Sequence, residues 1–217
     1  MAKHTAQGVL LLCFYSLTAV LSNVGTGKVV DNSCSSLNLT FNNFSTELQE
    51  VVQCASNITS QWNNNQISDL LNTLQTLTDI LQQHQKRICQ DFKPKLCPAP
   101  EPPKDGGILC VSIKNRRYCK PMCNEGYDFA FLRRSRPYEI CSAETGDKWV
   151  GGNRLAVCIK SSIRVSGAEA AYFPKDQNCL QTKSHNDLEK KLIKQFVNEL
   201  EMKDIEGKKH DGCIICG

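Results

Sequence analysis

Cysteine usage is the feature that most constrains this chain, which has 13 cysteines among 217 residues. Cys13 lies within an apolar run from Val9 to Leu21 (VLLLCFYSLTAVL) that follows Lys3 and His4. The run is shorter than the roughly 20 apolar residues that span a membrane, and it ends in residues that suit a signal-peptidase site. Residues 1–22 are therefore predicted to be a signal peptide. The mature chain is expected to be secreted and extracellular, with no membrane span.

Removal of this signal leaves twelve cysteines, an even number that predicts disulfide bonds in an oxidising compartment. Three Asn-x-Ser/Thr triplets begin at Asn38, Asn43 and Asn57, close together behind the signal. They predict N-glycosylation of an exposed segment. The formal net charge of +4 is too small to indicate nucleic-acid binding, which requires a strongly basic face.

Residues 34–90 are predicted to form a helical hairpin. Apolar residues recur every three or four positions in two series, first Leu48, Val51, Ala55, Ile58 and Trp62, then Ile67, Leu70, Leu74, Leu77, Leu81, His84 and Ile88. The polar run from Asn63 to Gln66 separates the series and is interpreted as a turn. Packing of the two helices on each other is one interpretation of the apolar stripes, and a homo-oligomer formed by a coiled coil is the other. A disulfide could join Cys54 to Cys89, with Cys34 as the alternative partner.

The remainder of the chain predicts a small β-module followed by a helical tail. Prolines are frequent in residues 94–105, which are interpreted as an extended linker. Short β-like runs (ILCVSI, YDFAFL, RLAVCI) follow, and residues 159–217 contain an amphipathic helix predicted over 186–202. The predicted fold class is α+β: an N-terminal helical hairpin, a small disulfide-rich antiparallel β-module and a C-terminal helix.

The spacing of Cys119 and Cys123 raises the question of a metal site. Zinc sites use two close cysteine pairs or a cysteine pair followed by a histidine pair. Here the next cysteines, Cys141 and Cys158, stand singly, and all four histidines lie outside residues 97–158. No metal and no cofactor is therefore predicted, and the cysteines are expected to form disulfides.

Residues 97–158 resemble a sushi module, also called a complement control protein module. The resemblance rests on Cys97-Pro-Ala-Pro with Gly106-Gly107, on Cys123-Asn-Glu-Gly126-Tyr127-Asp-Phe129, on Cys141 with Gly146-Asp-Lys-Trp149, and on Cys158. It implies first-to-third and second-to-fourth pairing, Cys97–Cys141 and Cys123–Cys158, with Cys110 and Cys119 as an extra bridge. It also implies that Tyr127 and Trp149 fill the module core. The pairing of Cys34, Cys54, Cys89, Cys179, Cys213 and Cys216 stays open.

Two further motifs are candidate functional sites. Arg133, Arg134 and Arg136, joined by Arg116, Arg117 and Lys120, could form a basic patch that binds an acidic protein or a sulfated glycan. The terminal CIIC has the spacing of a redox dithiol, but no helix can follow it, as catalytic pairs require. We therefore expect a non-enzymatic protein that binds an extracellular protein or glycan. A secreted signalling ligand is the alternative, and a thiol–disulfide oxidoreductase is a third, weaker one.

Overall fold

The computed structural model describes residues 40–131, 138–151, 156–207 and 209–217, without the side chains of 209–211. Its helices are α1 (Phe41–Ile58), α2 (Asn64–Gln90), α3 (Cys179–Ser184) and α4 (Asn186–Glu201). Its strands are β1 (Gly106–Ile113), β2 (Arg116–Cys123), β3 (Tyr127–Phe129), β4 (Glu139–Cys141), β5 (Cys158–Lys160) and β6 (Lys209–Cys216). The mixture of helix and antiparallel sheet with five disulfides confirms the predicted α+β class. None of the described helices combines the length and the apolar character needed to cross a membrane.

The chain divides into two compact units, residues 1–74 and 75–217. In the first unit, the Thr40 side chain accepts a hydrogen bond from the Asn43 backbone N–H at 3.3 Å and caps α1. No residue of α1 is buried. The predicted turn from Asn63 to Gln66 instead begins α2, because the side chains of these two residues each accept the other's backbone N–H at 3.0 Å. This reciprocal pair is a capping box, in which both exposed donors at the helix start are satisfied.

The second unit is built on a four-stranded antiparallel sheet in the order β4-β2-β1-β6. β1 and β2 form a hairpin in which Gly106 lies opposite Cys123 and Ile113 opposite Arg116. Its turn uses Lys114 and Asn115 at φ 48° and 61°. Positive φ at both central residues gives a turn whose twist matches that of the flanking strands. β3 and β5 form a separate two-stranded sheet.

The predicted C-terminal helix is confirmed, since α4 spans Asn186–Glu201. Residues 159–217 are nevertheless part of the module rather than a separate tail. Ile193, Phe196 and Leu200 of α4 are buried against one face of the sheet, and β6 pairs with β1 along most of its length. Because the sheet is apolar on that face, it requires a covering layer, and α4 supplies it.

The opposite face of the sheet is covered by the C-terminal end of α2 and the segment that follows. Phe92 packs there against a cluster that includes Ile108 and Ile215, and Cys89 bonds to Cys213. Three prolines of the expected linker, Pro94, Pro100 and Pro103, are buried. Their rigid rings therefore pack on the module instead of separating it from the helices.

The expected core residues Tyr127 and Trp149 lie at the margins of the core, where both are only half-buried. The main core consists instead of side chains from β1, β2, β6 and α4. The core differs from the expectation because helix α4 covers one face of the sheet. The main core therefore forms between the sheet and α4, and not around the Tyr127 and Trp149 rings.

Candidate binding groove

Five disulfides link ten of the eleven described cysteines. Within residues 97–158 the structure joins Cys97 to Cys141, Cys123 to Cys158 and Cys110 to Cys119, which is the pairing that the resemblance implies. The other two bonds, Cys89–Cys213 and Cys179–Cys216, were left open by the sequence. A bridge between Cys54 and Cys89 is not formed, because Cys89 bonds to Cys213 on β6. Cys54 has no disulfide partner among the described cysteines, and Cys34 lies outside them.

The two cysteines of the terminal CIIC lie on β6 and bond to different partners. Side chains three positions apart on a strand point to opposite faces of the sheet. Cys213 accordingly reaches α2 on one face, and Cys216 reaches α3 on the other. In the structure they cross-link three segments rather than forming a bond with each other.

The predicted basic patch is not assembled as expected. Arg117 and Lys120 are 1% and 2% exposed, so neither can contribute to a surface. Arg117 donates to the main-chain oxygens of Gln90 and Phe92, at the C-terminal end of α2, where the helix dipole favours a cation. Arg116 remains accessible but forms a 2.5 Å ion pair with Glu144. The other members, Arg133, Arg134 and Arg136, lie outside the described residues.

Two of the three predicted glycosylation sites lie on α1. Asn43 and Asn57 are both exposed on this helix, as a glycan requires, and Asn38 lies outside the described residues. Accessibility is compatible with modification, and occupancy of these sites stays a prediction.

The second unit contains an open groove of about 560 Å³ between residues 164–175 and helix α4. Its lining is mainly apolar and includes Tyr172, Phe173, Pro174, Leu188 and Leu192. Grooves of this volume with an apolar lining and a few polar groups are the usual form of a binding site. This groove is the candidate functional site.

The first wall of the groove is held in place by a buried carboxylate. Asp128, 3% exposed on β3, accepts hydrogen bonds from the backbone N–H groups of Val165 and Ser166 at 3.0 and 3.2 Å. It also accepts from the Tyr172 hydroxyl at 2.5 Å. The Tyr172 hydroxyl in turn accepts from the Gly167 backbone N–H at 3.0 Å. One carboxylate therefore fixes both ends of the segment from Val165 to Tyr172.

These contacts shift the pKa values of both side chains. Burial alone would raise the pKa of Asp128, but the hydrogen bonds from Tyr172 and the backbone outweigh it and hold this pKa below its ordinary value. Burial, together with the bond to Asp128, raises the pKa of Tyr172 to about 12. At neutral pH the pair is a carboxylate that accepts and a hydroxyl that donates, which is the arrangement the groove wall requires.

Two further contacts attach this wall to the rest of the module. The Arg164 guanidinium lies 5.0 Å from the centre of the Tyr172 ring and 3.8 Å from the carboxylates of Glu125 and Glu169. The Phe173 backbone N–H donates to the carbonyl of Cys123 at 3.0 Å, which ties the wall to the end of β2. The segment is thus ordered before any ligand arrives.

The second wall is a half-buried edge of α4. Leu188 and Leu192 are half-buried and lie one helical turn apart, with Lys191 beside them. The helix is anchored to the sheet by Phe196 in the core and by a 2.8 Å ion pair between Lys120 and Glu199, which also lines the groove. The place of Lys191 at a groove could not be read from the sequence, because helical periodicity separates polar from apolar sides of a helix and does not reveal which neighbouring segment borders them.

The rim of the groove carries charges of both signs, of which Arg164 and Glu169 pair with each other at 3.8 Å. Lys175 and Lys191 are exposed on opposite walls, and neither forms an ion pair with any residue in the described ranges. The groove therefore offers an apolar floor with ammonium groups on both sides, which suits an apolar side chain accompanied by a carboxylate. No group of three or more histidine, cysteine or acidic side chains in the described part of the chain is arranged to hold a metal ion.

Comparisons of the chain with protein-family models, with curated proteins and with solved structures found no match.

Proposed function

We propose that this chain is a secreted, glycosylated, non-enzymatic protein that binds an extracellular protein through its sushi-like module. The observation that carries the proposal is the groove, whose wall is ordered by Asp128 and whose rim carries two lysines that form no ion pair with the part of the chain that the structure describes. A surface that is ordered in the free protein loses little conformational entropy on binding. The disulfide bonds are compatible with an extracellular protein, since such bonds persist in oxidising compartments.

The sushi-like assignment is supported by the cysteine pairing of residues 97–158. The added strand β6 and helix α4 go beyond what the resemblance implies. We therefore place the binding surface on the extended module, where the added α4 forms one wall of the groove.

Secretion and glycosylation are tested by expressing the full chain with its own N-terminus in cultured animal cells. We expect the protein in the medium, with a mature N-terminus near residue 23, and a loss of mass on treatment with an N-glycosidase. Replacement of Asn38, Asn43 and Asn57 by Gln should abolish that loss of mass. Retention of the protein in the cytosol without glycans would contradict the extracellular assignment.

Binding is tested against an array of extracellular domains displayed on cells. The groove variant Lys175→Glu/Lys191→Glu reverses both rim charges, and the control Lys190→Glu/Lys194→Glu makes the same change in charge on exposed positions of α4 outside the groove. We expect at least one domain to bind the native chain and the control, and to bind the groove variant at least about tenfold more weakly. Equal binding by both variants would place the site elsewhere.

The glycan alternative is tested by retention on heparin. Reversal of Arg133, Arg134 and Arg136 should leave retention almost unchanged if a protein is the ligand. A large loss of retention at physiological salt would favour sulfated glycan as the ligand, through a patch in which Arg117 and Lys120 take no part.

A second function, that of a signalling ligand whose helices engage a receptor, is favoured by one observation. Helix α1 has no buried residues and exposes Phe41 and Val52. A chain that begins at Gln75 retains Cys89 and its bond to Cys213, so it isolates the second unit with all five disulfides. Loss of cell binding by this shorter chain would favour the ligand hypothesis, and retention would favour the module. The oxidoreductase alternative has less support, because Cys213 and Cys216 bond to different cysteines.

A further inference from the structure

Helix α2 carries an apolar stripe whose side chains are exposed. Leu74, Leu81 and Ile88 recur every seven residues and are 39%, 54% and 49% exposed. Leu71, one turn before Leu74, is 62% exposed. Isolated exposed apolar side chains are common on protein surfaces, but a contiguous row of them marks an interaction site.

The spacing of this row specifies its partner. Residues Ile67, Leu74, Leu81 and Ile88 occupy one position of a seven-residue repeat, and Leu70, Leu77 and His84 occupy the position three residues later. Helices with this repeat pack side by side, with the side chains of one inserting between those of the other. A helix of 27 residues, as α2 is, extends over roughly 40 Å and supplies three such repeats.

The positions that flank the stripe favour a second α2 helix as the partner. Flanking residues in such pairs usually carry the charges that select one partner over another. In α2 these positions are Gln66, Leu71, Thr73, Thr78, Ile80, Gln85 and Arg87, and all but the last are uncharged. An identical helix can therefore approach with almost no repulsion between like charges. Leu71 and Ile80, which is 59% exposed, widen the apolar strip.

The attachment of α2 prepares it for this contact. Its C-terminal end is fixed to the sheet by the Cys89–Cys213 bond and by the hydrogen bonds of Arg117 to Gln90 and Phe92. A helix held at one end by a covalent bond loses less freedom when it associates than a free helix does. We propose that two copies of this chain associate through α2, along the row formed by Leu74, Leu81 and Ile88. This inference is independent of the function proposed for the groove.

The test uses the full secreted chain and measures its mass in solution over roughly micromolar concentrations, by sedimentation equilibrium with and without glycans. The native protein is expected to have twice the mass of one chain. Leu74→Glu/Leu81→Glu places charges in the apolar row of both copies and should have the mass of a single chain at every concentration. Thr76→Glu/Gln83→Glu adds the same charges at the same spacing on the opposite side of α2 and should remain a dimer.

A second variant distinguishes loss of the interface from general damage to the helix. Leu74→Ala/Leu81→Ala removes apolar surface but keeps residues that favour helix, so helical content should be unchanged while the dissociation constant rises at least about tenfold. A native protein that is a single chain throughout would overturn the proposal, and the stripe would then be covered within one chain. A dimer that persists in Leu74→Glu/Leu81→Glu would also overturn it, because another surface would then join the copies.

Discussion

The ammonium group of Lys120 on β2 lies 2.8 Å from the Glu199 carboxylate on α4 and 4.9 Å from the centre of the Phe196 ring. The side chain of Lys120 is 3% exposed and that of Glu199 is 22% exposed. The ion pair therefore joins the central sheet to the helix that forms one wall of the groove. Sequence analysis expected Lys120 on a binding surface, and the structure instead gives it this internal role.

Removal of one partner of this pair should destabilise the module. Lys120→Met leaves the partly buried Glu199 without its counter-ion, and we expect a loss of about 2 kcal/mol in the free energy of unfolding, below the value for a fully buried pair because Glu199 can regain water. Glu199→Gln should also destabilise. Both are measured by urea denaturation.

The double variant Lys120→Met/Glu199→Gln provides the control. Because neither side chain then leaves the other unpaired, its loss of stability should be smaller than the sum of the two single losses by about 1 kcal/mol or more. Strict additivity would show that the two groups do not interact in solution.

The Asp128 network predicts a specific loss of stability in acid. The folded-state pKa of Asp128 lies below the ordinary value of 3.8, so the folded chain binds fewer protons than the unfolded chain near that pH. This carboxyl stabilises the module fully above pH 3.8, and the contribution is lost as the pH falls through the lower folded-state value. We expect the stability difference between the native protein and Asp128→Asn to shrink over that interval.

At neutral pH, Asp128→Asn should cost about 2 kcal/mol, because both carboxylate oxygens accept N–H groups and an amide keeps only one acceptor oxygen. Its NH2 group would face either the N–H groups of Val165 and Ser166 or that of Phe129. Glu169→Gln is the matched control, since it also removes one negative charge, from a fully exposed side chain of the same groove wall. A stability difference for Asp128→Asn that is independent of pH would contradict the role assigned to the carboxylate.

Tyr172 predicts the opposite behaviour in alkali. Its pKa is about 12 in the folded chain against 10.0 for an unperturbed tyrosine, so above pH 10 the unfolded chain ionises first. The stabilising contribution is complete below pH 10 and is lost as the pH rises towards 12. The native protein should lose more stability than Tyr172→Phe over this interval, as measured by denaturation at each pH. Titration of tyrosinate absorbance should show an ionisation at a pH near 12 in the native protein that is absent from Tyr172→Phe.

Local features could be predicted from the sequence more closely than long-range ones. Helix α4 was predicted well, because the period of apolar residues reports which side of a helix is buried. The run ILCVSI lies wholly within β1, whereas YDFAFL and RLAVCI contribute only three and two described residues to strands β3 and β5. The beginning of α2 was predicted incorrectly, because a run of polar residues such as Asn63 to Gln66 is typical of a turn as well as of the helix cap that it forms here. Asn63 followed three residues later by Gln66 is the pattern that would have identified the cap.

The groove could not be predicted, because its two walls come from segments that only the tertiary fold brings together. Asp128 binds Val165 and Ser166 across more than 30 residues of sequence, and no local pattern marks that contact. The partners of Cys89 and Cys179 were open for the same reason. The strand that carries Cys213 and Cys216 is as long as β1, but no local pattern in its sequence marks its pairing with β1.

The two most different disulfides should contribute unequally to stability. The Cys89–Cys213 bond joins residues 124 positions apart, whereas Cys110–Cys119 joins residues 9 positions apart in adjacent strands. In the chain-entropy view, a bond that closes a longer loop removes more freedom from the unfolded chain, which gives about 5 kcal/mol for the first and about 2.6 kcal/mol for the second.

Replacement of Cys89 and Cys213 by Ser should therefore cost about 2 kcal/mol more than the same replacement of Cys110 and Cys119. Urea denaturation of the two double variants measures this, with retention of the other four bonds checked by peptide mapping. A larger loss for the Cys110 and Cys119 variant would mean that packing in the folded sheet, rather than freedom of the unfolded chain, sets the value of these bonds.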